Sequence, residues 1–301
     1  MMDYRALEAL SAVIEHAGFE KAAQVLNISQ SAVSQRIRQL EFKLGQPVLL
    51  RTSPPRLTEL GRKLSNHLQQ VKQLEQGLQA SDEPATELNI RLAVNADSID
   101  TWLAPALAAC ADSQRMNFDL VIEDQRVGLK RMKNGEVMAC ICESAQPVNG
   151  GLAQALGTLR YRALASPEFV AHYRDAVTPS KRQYSDQPYQ WLQQAPCLRF
   201  SGDDQLQHQF LNTLNLQAPR RMQRVPSSGG FVQMALAGLG FGMIPEIQVR
   251  EYLASGELVD VAPETVLDIP LYWHYWQTES DYMAQLRHAI VQRAAQLLLP
   301  L

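Results

Sequence analysis

The run from Ala22 to Ile37, Ala-Ala-Gln-Val-Leu-Asn-Ile-Ser-Gln-Ser-Ala-Val-Ser-Gln-Arg-Ile, constrains the fold most. Its pattern predicts two short helices joined by a tight turn, the layout of a helix-turn-helix that reads DNA. Advancing about 100° per residue from Val33 places Ile37 and Leu40 beside it as an inward stripe, while Ser31, Gln35 and Arg38 point the opposite way and Ser34 lies on the flank. With Gln30 at the helix start, these small, amide and guanidinium side chains suit the donors and acceptors that a major groove displays. For this segment alone, an amphipathic helix with a solvated polar face is the competing explanation.

The neighbouring residues favour the DNA reader. Upstream, Leu7, Leu10, Val13 and Ile14 form a helical stripe that ends at Gly18, a residue suited to the left-handed geometry past a helix. Ala22 and Ala23 allow two helices to cross closely. Ser29 can cap the second helix and Gly45 can end it. Pro47-Val48-Leu49-Leu50-Arg51, a turn at Pro54-Pro55 and Arg56-Leu57-Thr58 then predict a wing. Between Gln30 and Arg62, six cations (Arg36, Arg38, Lys43, Arg51, Arg56, Arg62) face two acids (Glu41, Glu59), a local charge of +4. Arg36, Arg51 and Arg56 are accordingly expected at phosphates or in the wing contact.

Residues 3–61 resemble the winged helix of the LysR-type transcriptional regulators, through the run Ser29 to Glu41, the wing residues Leu49-Leu50-Arg51 and Arg56-Leu57-Thr58, and Gly61. Further on, Ala93-Val94-Asn95-Ala96-Asp97-Ser98, Ala254-Ser255-Gly256-Glu257-Leu258 and Leu271-Tyr272-Trp273-His274 resemble the arginine- and lysine-responsive branch of that family. The resemblance covers nearly the whole chain. It departs at Leu50, where many members have Phe, at Leu60, where many have Ala, and at Phe19-Glu20, where many have a Ser or Thr cap. These changes touch no identifiable chemistry, although the DNA sequence read can differ.

Length and charge set the frame: 301 residues fit about two domains, and a net charge of −3 excludes a wholly basic polynucleotide coat. The basic character is local. No stretch approaches the roughly 18 apolar residues that span a bilayer, and the opening Met1-Met2-Asp3-Tyr4-Arg5 has no signal-peptide core. A cytoplasmic protein with no membrane partner is expected. Cys110, Cys140, Cys142 and Cys197 are too few and too irregular for a disulfide framework. Cys140 and Cys142, two apart in a strand-like run, are expected to be small buried hydrophobes.

After a winged helix-turn-helix assigned to residues 1–60, Leu60, Leu64, Val71, Leu74 and Leu78, with His67 and Leu68 near the missing step, make a heptad-like seam. An amphipathic helix packed on its own domain would give the same pattern. Set between a DNA reader and a second domain, residues 58–80 are expected to be a dimerising linker helix, as the family has. A two-fold pair of readers doubles the base contacts and fixes half-site spacing. Residues 81–87 form a polar hinge.

From Leu88 the chain alternates strand and helix, so an α/β domain with a mostly parallel sheet is expected over 88–301. Strands are expected at Leu88–Val94, Phe118–Ile122, Val137–Cys142, Tyr161–Ser166, Cys197–Phe200, Arg221–Val225, Phe241–Pro245, Leu258–Val261 and Leu271–Trp276. Helices are expected after Ser98, before Asn134-Gly135, over 231–237 and 246–254, and from Ser280 to the end. The resemblance implies two subdomains with crossing strands, like a periplasmic binding protein: subdomain I from 88–161 and 268–301, subdomain II from 162–267.

Ligands of such sheets bind beyond the carboxyl ends of the strands, near helix N-termini. Asn95, Asp97, Ser98, Glu123, Asp124 and Glu143 follow the first three strands, and Phe200, Ser201, Ser227 and Ser228 follow later ones. Hydroxyls and amides suit an α-carboxylate, and several carboxylates suit ammonium or guanidinium groups. A basic amino acid, lysine or arginine, is the expected effector. The competing explanation is that these residues are N-caps and first-turn acids favoured by the helix dipole.

Gly238-Leu239-Gly240-Phe241-Gly242 follows a helix and enters a strand, the reverse of a dinucleotide fingerprint, so it is expected to be a helix stop. The six histidines have no metal spacing and no serine sits in a nucleophile elbow. No catalytic residue, metal or cofactor is expected. The chain is thus expected to be a transcriptional regulator, not an enzyme, whose partners are promoter DNA, an effector, a second or fourth copy of itself and RNA polymerase. Two other classes stay open: an architectural DNA binder without effector response, and a solute-binding or enzymatic α/β protein.

Overall fold

The computed structural model describes residues 2–82, 87–111, 113–122, 128–177 and 188–301. The first unit contains α1 (Tyr4–Glu15), α2 (Phe19–Val25), α3 (Gln30–Leu44), the wing strands β1 (Leu49–Leu50) and β2 (Arg56–Leu57), and α4 (Glu59–Asp82). Its core joins Leu7, Leu10 and Val13 of α1 to Ala22 and Ala23 of α2, Val33, Ile37 and Leu40 of α3, and Leu64 and Leu68 of α4. The break between α1 and α2 is made differently from the expectation: Ala17 takes the left-handed conformation (φ 52°) and Gly18 is extended (φ 173°). Gly61 cannot be replaced cheaply, because a Cβ there would lie 2.0 Å from the Val48 carbonyl, where α4 presses on the wing.

The seam along α4 divides in two. Leu64 and Leu68 are buried in the winged unit's own core, and His67 Nε2 lies 3.1 Å from Tyr4 Oη on α1, whereas Leu74 and Leu78 are exposed. Packing on its own domain therefore accounts for the first half of the stripe, and among the described residues nothing covers Leu74 and Leu78 of the second half. A direct contact also ties α4 to the second unit. Asn66 Nδ2 donates to the Lys133 carbonyl at 2.9 Å, and left-handed Gly135 (φ 73°) sits so close that a Cβ would be 2.8 Å from Asn66 Oδ1.

The second unit contains β3 (Leu88–Val94), a helical stretch of α5 (Ala96–Ser98), a π-turn (Ile99–Leu103) and α6 (Ala104–Ala108), then β4 (Met116–Ile122), α7 (Gly128–Lys133), β5 (Ala139–Cys142) and β6 (Gly151–Ala165). It continues with α8 (Pro167–Val177), β7 (Cys197–Arg199), α9 (Leu206–Thr213), β8 (Met222–Arg224), α10 (Ser228–Leu236), β9 (Gly242–Pro245), α11 (Arg250–Ser255), β10 (Val259–Asp260), β11 (Val266–Trp276) and α12 (Asp281–Leu297). The main sheet runs β10-β6-β11-β5-β3-β4, with β9 also on β6, and β7 and β8 form a separate parallel pair.

The expectation of a mostly parallel sheet is corrected. β3 is parallel to β4 and β5, but every pairing of β6 and β11 is antiparallel. Helical crossovers return the chain in one direction, whereas β11 comes back beside β6 after a long excursion and meets it head to tail. Both strands are longer than expected, because β6 starts at Gly151 and β11 at Val266. Gly151 and Gly157 interrupt the β-forming pattern there. Gly157 (φ 136°) lets the end of α12 approach, since a Cβ would come within 2.8 Å of Leu298 and Leu299. The helix expected over 246–254 splits into a 3-10 turn (Glu246–Gln248) and α11, and the expected 231–237 helix begins earlier, at Ser228. All four cysteines are buried and unbridged.

Candidate functional site

Two surfaces carry the residues singled out by the sequence. On α3, the Ser29 hydroxyl accepts the Ala32 amide at 3.2 Å and left-handed Gly45 (φ 68°) ends the helix. Val33 and Ile37 are fully buried and Leu40 nearly so, which fixes the rotation of the helix. Gln30, Ser31, Gln35 and Arg38 are exposed, and Ser34 and Arg36 are half-buried on the flanks. The six base-facing and flanking positions thus lie on and around one uncovered helix face. Glu41 is an organiser of the wing: its Oε1 accepts the Val48 amide at 3.0 Å and its Oε2 lies 3.5 Å from the guanidinium of Arg51. Arg56 is exposed on β2, opposite Leu50. Ser29→Ala should destabilise the winged unit by about 1 kcal/mol, as loss of an N-cap acceptor does. Urea denaturation of the full chain is the measurement, and an unchanged midpoint would mean that the capping bond is worth nothing here.

The second surface is a cleft in the α/β unit that opens to solvent. Asn95, Asp97, Glu143, Phe200 and Ser228 line it. Asp97 sits at the start of the helical stretch after β3 and Glu143 just after β5, both beyond strand carboxyl ends. Ser228 opens α10 on the opposite wall. Its Oγ donates to Asp97 Oδ1 at 2.7 Å, and Gln248 Oε1 is 3.2 Å from the same hydroxyl. Tyr161, fully buried on β6, donates its hydroxyl to Asp97 Oδ2 at 2.6 Å. A second bridge forms at the rim, where the Gly229 amide donates to Asp100 Oδ2 at 2.9 Å.

Three other expected residues are engaged elsewhere and do not line the cleft. Ser98 is fully buried and accepts the indole N–H of Trp102 at 3.1 Å. Ser201 accepts the amides of Asp203 and Asp204, each at 3.1 Å, and Ser227 caps α10 by accepting the Gly230 amide at 3.1 Å. Glu123 and Asp124 lie outside the described residues. Sequence reasoning missed Asp100, Tyr161, Asp204 and Gln248. Asp204 had a local signal, an acid closing a turn after a strand; its oxygens accept from the amides of Phe200 and Leu206 and the side chain of Gln207. Tyr161 had none, since an aromatic in a strand ordinarily belongs to a core.

The electrostatics of the cleft are one-sided. Among the described residues, Asp97, Glu143 and Asp204 line it and no Lys, Arg or His does. Burial pushes the Asp97 carboxyl above its ordinary value; hydrogen bonds from Ser228 and Tyr161 pull it down, and the charges of Asp204 and Asp100 push it up again. Asn95 is buried at 3 % exposure, and among the described residues neither its amide oxygen nor its nitrogen has a hydrogen-bond partner. Buried amides are ordinarily paired, so one on a cleft wall is suited to pair with ligand polar atoms. Phe200, Leu206, Phe231 and Met243 supply an apolar wall that fits a methylene stem. Among the described residues, no group of three His, Cys, Asp or Glu is placed to hold a metal ion. Nor is any described helix long and apolar enough to cross a membrane.

Comparison with known proteins bears on both surfaces. Residues 4–62 match the bacterial regulatory helix-turn-helix protein of the lysR family, and residues 85–295 match the LysR substrate binding domain. The chain is 47% identical over 306 residues to the HTH-type transcriptional regulator ArgP of Pseudomonas fluorescens strain Pf0-1, covering 100% of both chains. Full-length LysG of Corynebacterium glutamicum with bound effector arginine superposes with a TM-score of 0.79 at 32% identity, over 99% of this chain and 100% of that one. ArgP of Mycobacterium tuberculosis gives 0.84 at 32% identity, over the whole of both chains.

Proposed function

The chain belongs to the LysR family of bacterial helix-turn-helix regulators, and on that premise we propose that it is a sequence-specific DNA-binding transcriptional regulator whose effector is lysine or arginine. One observation carries the effector assignment: among the described residues, three carboxylates and no cationic side chain line the cleft. A cationic ligand neutralises that charge, whereas an anionic one would be repelled. In this reading Asp97, with Glu143 nearby, takes an ammonium or guanidinium group. Asn95 and Ser228 serve the polar atoms of the amino-acid head, and Phe200 packs on the stem. Glu123 and Asp124 remain candidates for the same cation.

On DNA, Gln30, Ser31, Ser34, Gln35 and Arg38 contact base edges, and Arg36, Arg51 and Arg56 contact phosphates. The chain works as a homodimer or homotetramer in the cytoplasm, joined through the uncovered half of α4 near Leu74 and Leu78, with RNA polymerase as a further partner. Residues 1–60, 58–80 and 88–301 are the reader, linker and effector domain; of the hinge assigned to 81–87, residues 81 and 82 still belong to α4 and 83–86 lie outside the described residues. Effector binding then biases two arrangements of the paired readers, which it can do only by binding one more tightly than the other. No catalytic step is assigned.

Isothermal titration of the full chain with the twenty amino acids tests the proposal. Heat is expected with lysine, arginine or both, together with a changed footprint on DNA. Binding confined to neutral or acidic amino acids would overturn the effector assignment, and footprints unchanged by every amino acid would favour an architectural DNA binder.

A further inference from the structure

Asp97 is held from two sides by elements distant in the chain. Tyr161 reaches it from β6, a long strand of the main sheet, Ser228 reaches it from α10 across the cleft, and Asp100 stands one helical turn away on its own element. Asp204, after β7, and Glu143, after β5, also face the cleft, and Gln248 contacts Ser228. All the charged groups among these neighbours are acids. They oppose a negative charge on Asp97, and burial opposes it further. Two hydroxyl donors, Ser228 and Tyr161, are what favours the charged form. They differ in kind. The Ser228 hydroxyl sits on the cleft wall where a ligand enters, and Gln248 Oε1 offers it a second acceptor. The Tyr161 ring is fully buried, outside the lining, with its hydroxyl 2.6 Å from the carboxylate oxygen on the side away from Ser228.

We propose that Tyr161 is a positioning residue for effector recognition, whose buried hydroxyl keeps the Asp97 carboxylate charged and aimed across the cleft. This rests on the reading of the cleft as a cation site. A donor that the ligand cannot displace holds Asp97 ready whether or not Ser228 changes partners, so the protein senses its effector evenly across ordinary intracellular pH. Without that donor the carboxyl takes up a proton at higher pH, and a neutral carboxyl attracts an ammonium or guanidinium group far less.

The test is titration of the full chain and of Tyr161→Phe with lysine and with arginine between pH 5.5 and 8.5, alongside Asp97→Asn and thermal melts of each. Phenylalanine keeps the ring and removes only the hydroxyl. The expected result is a loss in Tyr161→Phe of roughly tenfold at pH 6 and less than about threefold at pH 8, so that the acid fall in affinity moves to higher pH, while Asp97→Asn binds weakly with no such fall. A loss of the same size at every pH would reduce Tyr161 to a packing role and overturn the inference. So would a profile identical to that of the unmodified chain. If the unmodified chain binds neither amino acid at any pH, the cation-site reading falls and this inference falls with it.

Discussion

Replacing Asp97 with alanine is expected to weaken the binding of lysine or arginine by about a hundredfold or more, close to 3 kcal/mol, while affinity for DNA without effector is kept. The size follows from removing one partner of a charge-assisted pair in a cleft screened poorly by water, which typically costs about 2–5 kcal/mol. It is raised by what remains: the hydroxyls of Ser228 and Tyr161 lose their shared acceptor. Isothermal titration measures the loss, and a variant that binds as the unmodified chain does would move the cation site elsewhere, toward Glu143 or the acids at 123 and 124. Asp97→Asn separates charge from shape. Because burial raises the folded-state carboxyl above its unfolded value, the contribution of Asp97 to stability is present at low pH and lost as pH rises through the folded value. In its charged form the side chain is thus held at a cost, and Asp97→Asn should lose effector binding without a lower Tm. A site kept charged against its surroundings is one whose stability has been traded for recognition.

Arg38→Ala should cost roughly 1–3 kcal/mol of DNA affinity and relax one base position, as removal of a direct guanidinium contact to a base edge does. Arg38 is exposed on the face of α3 opposite Val33, Ile37 and Leu40, and these three are buried firmly enough to leave the helix no other rotation. Selection of binding sites from random duplexes, for the unmodified chain and the variant, reads the base preference directly. A uniform loss across sequences, with a salt slope reduced by about 1, would make Arg38 a phosphate contact instead. Arg36, half-buried on the flank, is expected to behave in that second way.

How far the sequence could be read depended on the reach of each signal. The rotation of α3 was legible because a stripe every three or four residues needs only the helix itself, and the Ser29 cap because its acceptor and donor lie three residues apart. The stripe on α4 was legible as a stripe, but not its division: Leu64 and Leu68 enter the winged unit's core, where α4 packs on α1, whose position no local pattern specifies. Strand β6 was half missed, since glycines at 151 and 157 weaken the alternation while pairing with β11 holds the segment extended. At the cleft, Asp97 and Ser228 were each legible as residues beyond a strand or at a helix start, yet Ser98, Ser201 and Ser227 carried the same local marks and are spent on Trp102 and on backbone amides.

The amino-acid order by itself determined the helix-turn-helix, its capping, its outward polar edge and the local excess of positive charge, because periodicity, caps and neighbouring charges act over a few residues. Only the tertiary structure decided that Asp97 meets Tyr161, 64 positions away, and Ser228, 131 positions away, or that one acid is left facing a cleft while a similar serine is sealed in a core. Such meetings are set by long-range strand pairing and by what the core excludes. Neither leaves a mark on the residues immediately beside those that meet.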